Sequence, residues 1–275
     1  MKKILILFII GIFFSTNPTL AETDKYSEDY LKNKKHCAIA NPLAEGLVEH
    51  AIKKVLQKET KANFKVKFSA YTLSSLKKGI FKSVDLEAED LVVEDIPISY
   101  AHLKSVTDYN YIDYKSKPIV FKSDMEFDYE LLITDETINA TLARKEYNEI
   151  LDKVNKLAYP LFEIKKVKTK ILDNRLYIAI LYNFPINPKE KNKIFIVSSL
   201  FLVKDGKIEA SDISLDEAYK KISLKKVTNL VNLVNPLEFM LTLLDSKKSK
   251  GNVRNLEFVD NKIKVNGTIF IKEQK

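Results

Sequence analysis

Between residues 121 and 133 apolar and polar side chains alternate. Phe121, Met125, Phe127, Tyr129, Leu131 and Ile133 fall on one side of an extended chain, and Lys122, Asp124, Glu126, Asp128 and Glu130 on the other. A period of two places one set on each face of a strand and is incompatible with a helix, whose period is 3.6. At about 3.3 Å per residue the run spans about 40 Å, whereas a typical strand has about five or six residues. A long strand with one oily face has to be covered along its length, so a curved sheet over an apolar layer is predicted.

The same alternation recurs at Phe64, Val66, Phe68 and Ala70 against Lys65, Lys67 and Ser69, and at Val84, Leu86 and Ala88 against Asp85, Glu87 and Glu89. Leu91-Val92-Val93 reads as a further strand ending before Ile96-Pro97. Three hairpins are announced by their turns, Asp173-Asn174, Asp205-Gly206 and Asp260-Asn261, whose residues tolerate positive φ. Helical spacing places Leu43, Leu47, Val48, Ala51, Ile52, Val55 and Leu56 on one face after Asn41-Pro42. A short helix over 72–78 ends at Gly79, and Thr134 or Asp135 caps another carrying Ile138 and Leu142. Tyr147, Ile150, Leu151, Val154 and Leu157 share a helical face. So do Leu215, Ala218, Tyr219 and Ile222, then Val227, Leu230, Val231 and Val234. Asn235-Pro236 restarts the helix with Leu237, Met240, Leu241 and Leu244. The reading is α+β, with a long curved antiparallel sheet wrapped around amphipathic helices in one domain over 41–275, preceded by a flexible segment over 22–40.

Residues 1–21 read as a cleavable export signal. Lys2 and Lys3 precede the apolar residues 4–14, and Thr19 and Ala21 supply small side chains at a cleavage site. The apolar run is shorter than the about 20 residues a spanning helix needs, so a soluble exported protein, periplasmic or extracellular, is expected. The only cysteine, Cys37, excludes an intramolecular disulfide. The formal charge of +8 becomes +6 when Lys2 and Lys3 are removed. A basic surface suits anionic lipid head groups or nucleic acid, and export favours the lipid surface over nucleic acid. Peripheral contact with a membrane follows as an expectation.

Catalytic patterns are missing. The three histidines, His36, His50 and His102, form no metal-binding pair; His36 falls in the expected tail, His50 on a polar helix face and His102 after a strand. No glycine sits in a serine-hydrolase elbow or a phosphate-cradling loop. Asp85 and Glu87 read as a solvated strand face. No cofactor, metal or catalytic residue is expected, and the chain is not read as an enzyme. What remains is apolar capacity. Any one of these residues reads first as core. As a set, Phe64, Phe68, Leu86, Val93, Phe127 and Leu131 are assigned as the lining of an elongated groove, suited to acyl chains because each buried CH₂ gives about 0.8 kcal/mol.

Three strings carry a resemblance: LKKGIFKSVDLEAEDL at 76–91 followed by ISYAHL at 98–103, LITDETINATL at 132–142, and VRNLEFVDNKIKVNG at 253–267. Together they resemble the LmeA-like phospholipid-binding family of bacterial envelope proteins, over most of the chain from about residue 40. The resemblance implies a tubular lipid-binding fold, with lipid held between helix and curved sheet, and no catalysis. Glycine at strand ends is scarcer than that family's pattern, with only Gly79 and Gly267 in the expected places. The function expected is lipid handling in the envelope, with phospholipid or a related amphiphile as partner. The alternatives are an envelope interaction module that uses strand edges and basic patches, and an enzyme whose catalytic pair is assembled from distant residues.

Overall fold

The computed structural model describes residues 27–33, 41–60, 62–93, 95–113, 116, 120–187, 189, 192–215, 223–242 and 249–274. The expected export signal, His36, Cys37, Leu244 and the expected helical positions 218, 219 and 222 lie outside the described residues. The elements run α1 (Glu28–Asn33), α2 (Asn41–Thr60), β1 (Asn63–Ser69), α3 (Leu73–Lys77), β2 (Ile80–Phe81), β3 (Ser83–Val93), β4 (Ile96–Ser105), β5 (Asn110–Asp113), β6 (Val120–Phe121) and β7 (Met125–Ile133). They continue with α4 (Asp135–Leu142), α5 (Lys145–Ala158), β8 (Glu163–Leu172), β9 (Arg175–Asn183), β10 (Lys193–Lys204), β11 (Lys207–Leu215), α6 (Leu224–Leu233), α7 (Pro236–Thr242), β12 (Ser249–Val259) and β13 (Lys262–Ile271).

The fold is α+β and its strand pairs are antiparallel. A six-stranded sheet has the order β1-β3-β4-β7-β13-β12, a four-stranded sheet the order β11-β10-β9-β8, and β2-β5-β6 form a small third sheet. All three are open. The two large sheets meet where β10 lies against β12, and α4 packs against β4 of one sheet and β8 of the other. Their inner faces and the helices share one continuous apolar core. All three expected hairpins are present, and both residues of each turn have positive φ: Asp173 50° and Asn174 54°, Asp205 51° and Gly206 74°, Asp260 50° and Asn261 56°. That backbone matches the right-handed twist of the flanking strands. The first and third turns also touch. Asn174 N–H donates to Asn261 Oδ1 at 3.2 Å and Asn261 N–H to Asn174 Oδ1 at 3.1 Å, tying the tips of the two sheets together.

Open sheets have edges, and unpaired edge groups invite misassociation. Three edges here are clamped by helix side chains. On β1, Phe68 N–H donates to Glu49 and Ala70 N–H to Glu45, both at 2.8 Å, from one face of α2. On β11, Ile208 N–H donates to Glu238 and Ala210 N–H to Asn232, also at 2.8 Å. On β8, Asn139 of α4 and Asn155 of α5 each pair with both peptide groups of one residue, Thr169 and Ile164. Each amide supplies the donor and the acceptor that a neighbouring strand would have offered.

Several expectations are corrected. The run over 121–133 is two strands, β6 and β7, because Lys122 N–H turns away to Tyr111 O and Asp124 accepts from Glu273 N–H. Leu91-Val92-Val93 belongs to the same strand as Val84, with buried positions changing parity at Asp90, whose φ is 55°. His102 lies within β4 rather than after a strand. Leu47 is 74% exposed and Leu157 83% exposed, so neither joins its predicted helical face. Leu215 ends β11 instead of opening a helix. Within the segment expected to be flexible, Glu28–Asn33 is helical and buries Leu31 against Tyr71 and Ile80.

That satellite cluster is phenol-rich, with Tyr109 and Tyr111 packed on it. Burial pushes Tyr109 up to about 12 and raises Tyr71, Tyr100 and Tyr111. A raised folded-state pKa favours the protonated form. Its stabilisation is complete below the unfolded value of about 10 and is lost as pH rises from about 10 through about 12. Thermal unfolding should therefore fall off in that window, and Tyr109→Phe should make the fall shallower. An unchanged slope in that variant would show that Tyr109 is not linked to folding.

Candidate functional site

The six residues assigned as a groove lining all face the same apolar layer. Phe64 and Phe68 come from β1, Leu86 and Val93 from β3, and Phe127 and Leu131 from β7. The register pairs Val66 with Leu86 and Leu131 with both Ala101 and Val265, so the inner surface is continuous across the six-stranded sheet. Phe64, Phe68, Leu86, Val93 and Phe127 are buried within the core, and Leu131 is partly buried against it. Five of the six are thus covered by protein, and Leu131 is the one at the margin. Tyr129 also points inward, and opposite it Gly267 leaves room for its ring: a Cβ there would stand 2.6 Å from Tyr129 Cζ and 2.1 Å from Asn252 O.

Among the described residues the interior carries no charged side chain, and every buried polar side chain is Ser, Thr or Asn, or the phenol of an otherwise apolar tyrosine. Tyr147 of α5 donates to Val234 O at 2.6 Å and packs against Phe239 of α7 with ring centroids 5.2 Å apart and planes tilted by 56°. Burial alone raises its phenol far above the ordinary value. An acyl chain in such a layer meets no ion and strands no polar partner.

The outward face of the same sheet is the chemical opposite. Glu87 of β3 stands opposite Lys65 on one side and His102 on the other, and His102 stands opposite Glu130. His102 Nε2 is 2.8 Å from Asp85 Oδ1, and the ligating atoms of Asp85, Glu87 and His102 lie within 4.8 Å of one another. The cluster is half-exposed, and Lys65 Nζ is 3.1 Å from Glu87. Lys264–Glu130 and Arg254–Asp128, both 2.8 Å, continue the ladder of opposite charges across strands. A histidine with two carboxylates is a donor set that divalent zinc accepts, but Lys65 already matches the charge of Glu87. As a cross-strand ion-pair ladder it contributes little, so His102→Ala should change unfolding stability by only about 0.2–1 kcal/mol. Urea titration checks this, and a larger loss would mark the cluster as more than a charged face.

Asp85 and Glu87 do lie on a solvated strand face, but that face also carries His102, which sequence reasoning places elsewhere. The signal that would find it is the strand character of residues 96–105, which sets His102 beside the two carboxylates. Comparison with family models, curated proteins and solved structures returns no match for this chain.

Proposed function

We propose that this chain is an exported, non-enzymatic protein that binds phospholipid or a related amphiphile between the inner face of the six-stranded sheet and the helices, in the manner of a tubular lipid-binding fold. The observation that carries the reading is the uncharged apolar interior, continuous over both sheets and the helices packed on them. Burying acyl CH₂ groups there is favourable at about 0.8 kcal/mol each. A catalytic reading would have to begin from Asp85, Glu87 and His102, where Lys65 already pairs with Glu87 and His102 with Asp85. An interaction module working by strand addition would find β1, β8 and β11 clamped by their helices, which leaves β12, lying against β10, as the remaining edge of the two large sheets.

Leu131 sits at the margin of the layer, where a change alters the interior without removing a central support. Leu131→Lys should keep the fold and weaken uptake of a fluorescent fatty acid by tenfold or more, equivalent to at least about 1.4 kcal/mol. Equal uptake by a folded Leu131→Lys variant and the parent would overturn the assignment of this layer.

A further inference from the structure

The four-stranded sheet turns a different outward face to solvent. Its end, where β8 begins and β9 finishes, is marked by the pairs Glu163 with Asn183 and Lys193 with Tyr182. Two connections emerge there side by side. At the last turn of α5 Leu157 is 83% exposed, and between α5 and β8 Tyr159 is 69% and Leu161 65% exposed; between β9 and β10, Ile186 is 65% exposed. Monomeric proteins seldom leave large side chains so bare in one place without an interaction to serve. The first connection is held rigidly, because Tyr159 N–H donates to Asn155 O while the Asn155 side chain clamps both peptide groups of Ile164.

Behind the tip the outward face is ordered in rows. Lys166 and Lys168 of β8 stand opposite Leu181 and Ala179, which stand opposite Ile194 and Ile196 of β10. Ile194 is 55% exposed and Ile196 45%. Lys170, next in the row, is held by Asp135 at 2.8 Å, but among the described residues Lys166 and Lys168 have no carboxylate within ion-pair reach. On the six-stranded sheet Lys65, Lys264 and Arg254 are matched by acids, and Lys67 and Lys104 stand opposite Asp85 in register. The four-stranded sheet sets Lys166 and Lys168 beside exposed aliphatic side chains instead of acids.

We propose that this outward face and the tip formed by Leu157, Tyr159, Leu161 and Ile186 dock the protein on an anionic phospholipid bilayer, the aliphatic and tyrosine side chains entering the interface and Lys166 and Lys168 meeting lipid phosphates. Apolar side chains flanked by lysines fit that boundary, where burial of the first and attraction of the second act together. A soluble polyanion would use the lysines and leave the tip bare. The inference goes beyond amphiphile binding in the interior and stands independently of it, because attachment to vesicles and occupancy of the interior are read by different assays.

The chain contains no tryptophan, so Tyr159→Trp in the full chain places a single indole reporter at the tip. Sedimentation with phosphatidylcholine vesicles, with and without phosphatidylglycerol, should show at least tenfold stronger binding to the anionic vesicles. That binding should weaken with salt, and the indole emission of the Tyr159→Trp variant should shift to the blue. The paired substitutions Leu157→Glu with Leu161→Glu, both on exposed positions, should abolish sedimentation with melting unchanged; Lys166→Glu with Lys168→Glu should erase the preference for phosphatidylglycerol. Equal binding to both vesicle types, no emission shift on sedimentation, or vesicle binding that survives the tip substitutions would each overturn the proposal.

Discussion

Gly267→Val should be among the most damaging single substitutions in this protein. Gly267 lies in β13 opposite Tyr129 of β7 on one side and Val253 of β12 on the other. A Cβ would stand 2.1 Å from Asn252 O and 2.6 Å from Tyr129 Cζ and Oη. Neither neighbour can yield cheaply. Asn252 O is backbone next to the register shift between Val253 and Asn255, and Tyr129 is buried in the core. Overpacking of this kind costs about 1–3 kcal/mol before any strand moves, and separating two central strands adds to it, so a loss of about 3 kcal/mol or more is expected. Gly46 gives an internal control. It lies within α2, and nothing stands within 4 Å of a Cβ placed there. Gly46→Ala should stabilise by about 0.5–1 kcal/mol through helix propensity alone. Urea midpoints for the two variants should move in opposite directions; a mild Gly267→Val would show that β12 and β7 do not hold β13 this closely.

Asn139→Leu should be nearly as costly, for a different reason. The Asn139 side chain donates to Thr169 O at 2.8 Å and to Asp135 O at 2.7 Å, and accepts from Thr169 N–H at 2.9 Å. Thr169 is buried at the edge of the four-stranded sheet. Leucine keeps the volume but strands both peptide groups of Thr169, each at about 1–3 kcal/mol, so a total of about 2–6 kcal/mol is expected. Asn139→Asp retains the acceptor for Thr169 N–H but turns a carboxylate oxygen toward Thr169 O, and should fall between the parent and Asn139→Leu. The leucine variant should also aggregate during refolding, since its β8 edge keeps only the Asn155 clamp at Ile164. Identical urea midpoints for the aspartate and leucine variants would mean that the amide does not act through both of its groups.

Local chemistry makes much of this fold legible. Asp-Asn and Asp-Gly turns announce positive φ by themselves, and Thr72 and Thr134 sit as N-caps whose side chains accept from the N–H three residues on. Phe64, Phe68, Leu86 and Phe127 can be set in one inner layer because a period of two survives in β1, β3 and β7. β4 is hidden for the converse reason. Its buried positions run Ile96, Ile98, then Ala101, Leu103, and the change of parity at Ser99-Tyr100 erases the alternation that would have marked a strand. The break at Lys122 depends on Tyr111 and Glu273, which are distant in the chain. Glu45, Glu49, Asn139 and Asn155 look like ordinary polar residues of amphipathic helices, and only tertiary placement turns them into edge clamps. Leu157 fits the face of α5 by spacing, yet it stands at the last turn, beyond the sheet that covers Tyr147, Leu151 and Val154.

The proposal that an amphiphile occupies the uncharged layer inside the six-stranded sheet is most directly tested by purifying the full chain without detergent, extracting it with organic solvent and identifying the extract by mass spectrometry. A phospholipid or related amphiphile in near-stoichiometric amount, reduced by Leu131→Lys, is the expected result. Repeated recovery of a folded protein with an empty extract, and no uptake of added lipid, would contradict it.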